Sequence, residues 1–167
     1  MTNRTSATEE TCPVARSLDV IGDRWSLLIL RDVFDGIHRF GDIQRNLGVA
    51  RNILSGRLSR LVEHDILATR AASDGTAYLE YVLTEKGESF FPVMVGLQQW
   101  GERHLFERGE KYSRLIDKAT GKPLLFMQPK DRDGRDLSLK DTEVRKVRTV
   151  EDFSAQGLGR HAHRQTR

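Results

Sequence analysis

The chain has 167 residues, of which 38% are hydrophobic and 31% charged, a composition typical of a folded domain that carries polar appendages. Its single cysteine, Cys12, excludes an intrachain disulfide and a Cys-x-x-Cys zinc site. Residues 1–107 hold 12 basic and 15 acidic residues, a net charge of −3, whereas residues 108–167 hold 15 and 9, a net charge of +6, so the bulk charge gives little support to DNA binding.

The N-terminal stretch of the chain is polar. Residues 1–11 lack the apolar segment of a secretion signal, and no stretch of the sequence approaches the roughly 18 apolar residues that a membrane span needs. We therefore expect a flexible N-terminal arm over residues 1–11, a cytoplasmic location and no membrane partner.

Two helices are predicted next. Val14, Leu18 and Ile21 recur at helical spacing and predict an amphipathic helix over residues 13–21. Residues 24–34 predict a second helix, which is apolar on almost every side. Such a helix belongs at the centre of a core.

Asp23 directly precedes the second helix and is expected to cap it. Residues 37–39 predict a very short strand, and residues 41–47 predict a short helix. A longer helix is predicted over residues 50–64, because its apolar residues repeat at helical spacing and its other face is polar. The apolar positions are Leu54, Leu58, Leu61 and Val62.

A β-hairpin and a long helix follow. Residues 66–71 and 78–83 are rich in β-branched, aromatic and aliphatic residues, and they predict two strands joined by a polar turn. Thr84 is placed to cap a helix over residues 84–106, and Pro92 is expected to kink that helix because it lacks a backbone donor.

The pattern weakens in the last third of the chain. Residues 112–117 and 123–127 predict a second hairpin around a turn. We expect a small, β-rich C-terminal extension over residues 110–150. Residues 151–167 are poor in apolar groups and predict a disordered basic tail.

The order of these elements predicts an α+β fold, the winged helix-turn-helix, over residues 12–109. In that fold a short helix braces a second helix, which enters the major groove of DNA, while the hairpin reaches the adjacent backbone. The apolar stripe on the helix over residues 84–106 is wider than one small core requires. It favours a dimerisation helix over purely intrachain packing.

The polar face of the helix over residues 50–64 carries residue types that recognise DNA. Asn pairs with adenine edges and Arg with guanine edges, so Asn52 and Arg60 are the candidates for base contacts. Arginines nearby would contact phosphates. An ordinary solvated helix face would carry similar residues, and that alternative stays open. The predicted DNA-binding set is Arg39, Arg51, Asn52, Ser55, Arg57, Ser59, Arg60 and Arg70.

A series of motifs between residues 12 and 109 matches one family in type and order. The motifs are Cys12-Pro13-Val14-Ala15, Ile21-Gly22-Asp23-Arg24-Trp25, Leu28-Ile29-Leu30-Arg31, Gly36, Arg39-Phe40, Leu54, Arg57-Leu58, Leu61, Tyr81, Leu83-Thr84, Gly87, Pro92-Val93 and Trp100. They closely resemble the HxlR-type winged helix-turn-helix regulators of bacteria and archaea. The resemblance implies a dimeric transcription factor that acts on a near-palindromic site. The C-terminal Cys-x-x-Cys segment of some relatives is absent from this sequence.

Cys12 is a candidate redox sensor. The resemblance implies this role, since some family members are thought to sense oxidants or electrophiles at this position, and a helix N-terminus favours a thiolate. With no second cysteine in the chain, a sensor would need an intersubunit disulfide or an adduct with a small thiol. The alternative is a small residue that packs at the start of the fold.

The predicted function is sequence-specific transcriptional regulation by a homodimer, as a repressor or an activator. Double-stranded DNA and a second copy of the chain are the expected partners, and a small molecule or an oxidant is a further candidate effector. A winged helix that only binds proteins is the alternative, although Asn52, Arg57 and Arg60 argue against it. The sequence holds no phosphate loop, paired catalytic carboxylates or metal-spaced histidines, so we expect neither an enzyme nor a cofactor or metal.

Overall fold

The computed structural model describes residues 11–72 and 74–145. The predicted arm over residues 1–11, apart from Thr11, and the predicted tail over residues 151–167 lie outside the described residues. The elements are α1 (Pro13–Ile21), α2 (Arg24–Phe34), α3 (Phe40–Leu47), α4 (Arg51–Glu63), β1 (Leu67–Ala71), β2 (Leu79–Leu83), α5 (Glu85–Glu88) and α6 (Phe91–His104). No helix in the part of the chain that the structure describes is long and apolar enough to cross a membrane.

The chain divides into two compact units. The larger unit spans Val14–Met127 and contains α2 to α6 and both strands. The other unit comprises the described parts of residues 1–13 and 128–167. It includes a short 3₁₀ turn at Leu139–Asp141, which a capping box between Ser138 and Asp141 closes.

The core of the larger unit surrounds α2. Ile29 and Leu30 of this helix are fully buried, as the apolar sequence of α2 predicts. Burial of an aliphatic side chain of this size contributes about 1.5–3 kcal/mol. The partners of α2 in the core are buried aliphatic side chains from α3, α4 and the first strand. They are Ile43, Leu54, Leu58, Leu61 and Leu67.

Local signals in the sequence set the ends of the central helices. Asp23 caps α2 as predicted: its Oδ1 accepts hydrogen bonds from the backbone N–H groups of Trp25 at 3.0 Å and Ser26 at 3.1 Å. Gly48 ends α3 with a φ of +61°, a left-handed conformation that glycine adopts without a Cβ clash. This residue allows the tight turn from α3 into α4.

The hairpin forms as predicted, in an antiparallel register that places Arg70 opposite Glu80. The strand predicted over residues 37–39 is reduced to a single bridge between Arg39 and Glu80. Arg39 is already the N-cap residue of α3, so the chain turns into the helix before a longer strand can pair.

The prediction of one kinked helix over residues 84–106 is wrong, because the structure has two helices there. Thr84 caps the first of them, α5, by accepting a hydrogen bond from the N–H of Gly87 at 3.0 Å. A Cβ at Gly87 would lie 2.1 Å from the carbonyl oxygen of Ile66, so only glycine fits here. Pro92 lies in the first turn of α6, where its missing N–H costs no helical hydrogen bond.

The second predicted hairpin is likewise reduced, to a bridge between Ile116 and Pro123. The backbone of the following segment bonds to a side chain instead of a strand. Gln99 of α6 donates to the carbonyl oxygen of Leu125 at 2.9 Å and accepts from the N–H of Met127 at 2.8 Å. Together, the helices α1 to α4 and the hairpin form the predicted winged helix-turn-helix, an α+β fold.

Candidate nucleic-acid interface

Helix α4, which is predicted to enter the major groove and to act as the recognition helix, turns its polar residues outward. Leu54, Leu58 and Leu61 are buried, whereas the opposite side is exposed and small in side-chain volume. The exposed residues of that side are Asn52, Ser55, Gly56 and Ser59. The structure therefore brings three residues of the predicted set, Asn52, Ser55 and Ser59, together on one surface.

Gly56 lies in the middle of this exposed surface. A Cβ built at Gly56 meets no other atom within 4 Å. Glycine in a helix interior is less favourable than alanine by about 1 kcal/mol. The fold itself therefore does not require glycine at this position.

Arg57 contacts the N-terminus of α2. Its Nε lies 3.0 Å from Oδ1 of Asp23, yet this buried Nε makes no aligned hydrogen bond, so the contact is an ion pair. Burial raises the pKa of Asp23, but hydrogen bonds from Ser26 and the charge of Arg57 outweigh burial and hold that pKa below its ordinary value. Arg57 thus joins α4 to α2.

Arg60 contacts the end of α1. Its Nη2 donates a hydrogen bond to the backbone carbonyl oxygen of Asp19, and its side chain is half-buried. In the free protein, this predicted base-reading residue is held by α1 and is less accessible than Asn52 or Ser55.

Arg51 opens α4 and remains exposed. Its guanidinium lies 5.4 Å from the ring centroid of Phe40, the first residue of α3. A cation over an aromatic face is stabilised by the quadrupole of the ring. The stacking positions Arg51 across the turn between the two helices.

The two remaining arginines of the predicted set lie at the wing, which is the hairpin of β1 and β2 with the loop that joins them. Arg70 places Nε 3.2 Å and Nη2 3.1 Å from Oε2 of Glu80. Arg39 places its Nε 3.9 Å from Oε1 of the same carboxylate, and its Nη2 donates to Oδ2 of Asp74 in the wing loop. These four side chains form a chain of alternating charge, which we call the wing network.

The acidic and carbonyl partners of these arginines were not predicted from the sequence. The signal for one pair was available, because a hairpin with its turn near Gly75 places Arg70 opposite Glu80 in register. The contacts of Arg39 with Asp74 and of Arg60 with Asp19 join residues 35 and 41 positions apart, and no local pattern indicates them.

A buried carboxylate braces the helix-turn-helix. Asp32 of α2 is fully buried, and its Oδ1 accepts hydrogen bonds from Asn46 Nδ2 at 3.0 Å and Arg31 Nη2 at 2.7 Å. Because Asn46 belongs to α3, this contact holds the bracing helix against α2. The apolar pattern of α2 gave no sign of this polar contact.

Cys12, the candidate sensor, directly precedes α1. It is exposed. An exposed thiol is accessible to an oxidant or to a second thiol.

Comparison with known proteins identifies the family to which this chain belongs. The profile of the HxlR-like helix-turn-helix family matches residues 20–109. The HTH-type transcriptional regulator Rv3095 of Mycobacterium tuberculosis is 46% identical over 92 residues, which are 55% of this chain and 58% of that protein. The chain therefore spans somewhat more than half the length of this relative.

Solved structures share the fold. PA1607, a candidate transcription factor, has a TM-score of 0.79 at 45% identity, over 86% of this chain and all of that one. The matched part, about 144 of the 167 residues, exceeds the 90 residues of the family profile, so the likeness extends beyond the family domain. The redox regulator HypR in its reduced form has a TM-score of 0.51 at 28% identity, over 56% of this chain and 94% of its own.

Proposed function

Because this chain belongs to the HxlR-like helix-turn-helix family of transcriptional regulators, we propose that it binds a specific sequence of double-stranded DNA as a homodimer and thereby regulates transcription. The observation that carries the proposal is the exposed polar surface of α4 around Gly56, on a helix that follows α3 across a tight turn and packs against α2 and β1. A helix in this setting can enter the major groove.

We assign base reading first to Asn52, with Ser55 and Ser59 beside it, because these side chains are exposed on one face. Arg60 remains a candidate, but it must release the carbonyl oxygen of Asp19 before it can reach a base. Arg51 and Arg57 are the proposed phosphate contacts on α4. Arg39 and Arg70 supply the basic groups of the wing.

Two exposed apolar surfaces support the homodimer. On α6, Val93, Leu97 and Trp100 follow helical spacing and are 54%, 49% and 53% exposed, and Val14 and Leu18 of α1 are also exposed. Apolar surface of this kind marks an interaction site, and most homo-oligomers close it by two-fold symmetry. A dimer would place its two recognition helices about 34 Å apart, one turn of DNA.

Oxidation of Cys12 is the proposed regulatory signal. Its exposure supports this role, as does the likeness to a redox regulator. Two Cys12 thiols of a dimer would form one disulfide and transfer two hydrogens to an oxidant such as diamide. Alternatively, each Cys12 thiol and one small thiol would form a mixed disulfide and transfer their two hydrogens to the same oxidant.

A small-molecule effector is the other proposed regulator. We place it in the cavity of about 210 Å³ between α6 and residues 112–124, which Gln98, Glu102 and Tyr112 help to line. Ligand sites usually have about 300–1,000 Å³, so this cavity suits only a small ligand.

Selection of bound sequences from a random duplex pool tests the function. We expect a two-fold symmetric site to be enriched, and we expect diamide to abolish its binding by wild-type protein but not by Cys12→Ser. No enrichment of any sequence by reduced protein would contradict specific DNA binding. Equal effects of diamide on wild-type protein and on Cys12→Ser would contradict the proposed role of Cys12, but not the proposal of specific DNA binding.

A further inference from the structure

The wing loop carries an unfavourable charge for a DNA-binding element. Between residues 71 and 79 the sequence has one charged residue, Asp74. DNA presents a dense row of negative phosphates, so a carboxylate at the wing would be repelled from the backbone. In the structure, the hydrogen bond from Arg39 lowers the pKa of Asp74, and the acid is therefore ionised and paired.

A second carboxylate holds Arg39 from the other side. Glu80 is 5% exposed, and a buried carboxylate is costly unless it is paired. It contacts Arg39 through Oε1 at 3.9 Å and Arg70 through Oε2 at 3.1 and 3.2 Å. Arg39 therefore lies between a buried acid and an acid at the surface.

The backbone of Arg39 connects the same elements. Arg39 is the N-cap residue of α3 and forms a bridge with Glu80, and the neighbouring His38 carbonyl accepts from the N–H of Tyr81 at 2.8 Å. Asp74 in turn closes the wing loop, since its Oδ1 accepts from the N–H of Thr76 at 3.1 Å. One residue thus joins the bracing helix, β2 and the wing loop.

We propose that Arg39 is a wing-positioning residue, which holds the wing loop through Asp74 and neutralises its carboxylate so that the wing can approach the DNA backbone. This inference rests on the proposed DNA binding. It differs from the sequence-based assignment of Arg39 as a phosphate contact, in which the guanidinium leaves Asp74 and binds DNA directly.

A double-mutant cycle separates the two roles, because they predict opposite coupling. If Arg39 acts through Asp74, Arg39→Ala weakens binding to the enriched DNA site roughly tenfold, but much less in the Asp74→Asn background, where no carboxylate needs neutralising. If Arg39 binds a phosphate, Asp74 competes with it. Arg39→Ala then costs as much or more in the Asp74→Asn background.

Salt dependence gives a second measure. A lost phosphate contact reduces the slope of log K against log[salt] by about one. We expect the Arg39→Ala/Asp74→Asn double variant to keep the wild-type slope. A loss that is undiminished in the Asp74→Asn background, together with a slope lower by about one, would overturn the proposal.

Arg45→Ala is the matched control. Arg45 lies on α3, is 78% exposed and pairs with Asp42 at 2.9 Å. Its replacement by alanine therefore removes an equal charge and breaks no contact within the wing network. We expect its effect on binding to be the same with Asp74 and with Asn at position 74. Coupling as large as that of Arg39 would show that the cycle measures bulk charge, and would overturn the assignment.

Amide hydrogen exchange of the free protein tests wing positioning without DNA. We expect Arg39→Ala and Asp74→Asn each to accelerate exchange at Thr76 and Tyr81, and Arg45→Ala to leave both unchanged. Unchanged exchange in both wing variants would overturn the positioning role, even if Arg39→Ala proved too unstable for binding assays. If wild-type protein binds no DNA, the proposed function fails, while the exchange result still decides whether Arg39 holds the wing.

Discussion

At the scale of single residues, Asp23 stabilises two helices at once. Its carboxylate accepts the first backbone hydrogen bonds of α2 and forms the ion pair with Arg57 of α4. A carboxylate at a helix N-terminus also interacts favourably with the helix dipole. This residue therefore contributes both to the start of the central helix and to the placement of the recognition helix.

Asp23→Ala should reduce the free energy of unfolding at pH 7 by about 1–2 kcal/mol, the usual cost of a lost N-cap. The pKa of Asp23 is lowered from 3.8, so the stabilisation by its charge is complete above 3.8 and is lost as the pH falls through the folded-state value. Urea unfolding at pH 7 and in steps below pH 4 measures this. Asp23→Asn retains a cap, and a difference from wild type that is constant with pH would contradict the charged role.

Replacing Arg60 would remove two interactions, the proposed contact with a base and the hydrogen bond to the carbonyl oxygen of Asp19. Measurements of DNA binding distinguish their effects. If Arg60 reads a base, Arg60→Ala should weaken binding to the enriched site by about 1–3 kcal/mol and leave random DNA almost unaffected. We expect this result, with relaxed preference at one base position. Equal losses on both DNAs would contradict base reading by Arg60.

At the scale of elements, periodicity and end signals predicted the winged helix-turn-helix well. The bounds of α1 and the buried side of α4 match the predictions, because each depends on residues within a few turns. The break before α6 was missed, since Pro92 fits the first turn of a helix as readily as a kink in one. The predicted second hairpin failed because Gln99, from a distant helix, replaces the strand partner.

The candidate site was predictable only in part, for a physical reason. Which residues of α4 face outward follows from helical spacing alone. Which arginines are free to meet DNA depends on acids and carbonyls that the fold brings from other elements, as with Arg39 and Asp74 or Arg60 and Asp19. Such contacts leave no local pattern in the sequence.

The exposed face of α6 gives a prediction at this scale. Leu97→Glu should place a charge in the proposed two-fold interface, where burial without a partner is costly. We expect a monomer by analytical ultracentrifugation, with helix content unchanged because the residue is exposed in the single chain. The matched control is Arg108→Glu, outside the helix, which should remain dimeric. A dimeric Leu97→Glu would exclude this face as the interface.

At the scale of the whole molecule, the charge of the proposed DNA-facing surface is largely balanced internally. The wing network pairs two arginines with two acids, and Arg57 pairs with Asp23. Residues 1–107 carry a net charge of −3. Recognition by this protein should therefore depend more on the shape and hydrogen bonding of the α4 surface than on a general attraction to DNA.

Gly56 tests that account most directly, because the fold leaves open space around it and gains nothing from glycine. Gly56→Ala should raise the free energy of unfolding by about 1 kcal/mol, and it should weaken binding to the enriched DNA site at least tenfold, because the added methyl group occupies the space into which the DNA fits. Measured together, greater stability and weaker binding would exclude misfolding as the cause. A variant that is more stable and binds DNA as tightly as wild type would contradict close contact between this face of α4 and DNA.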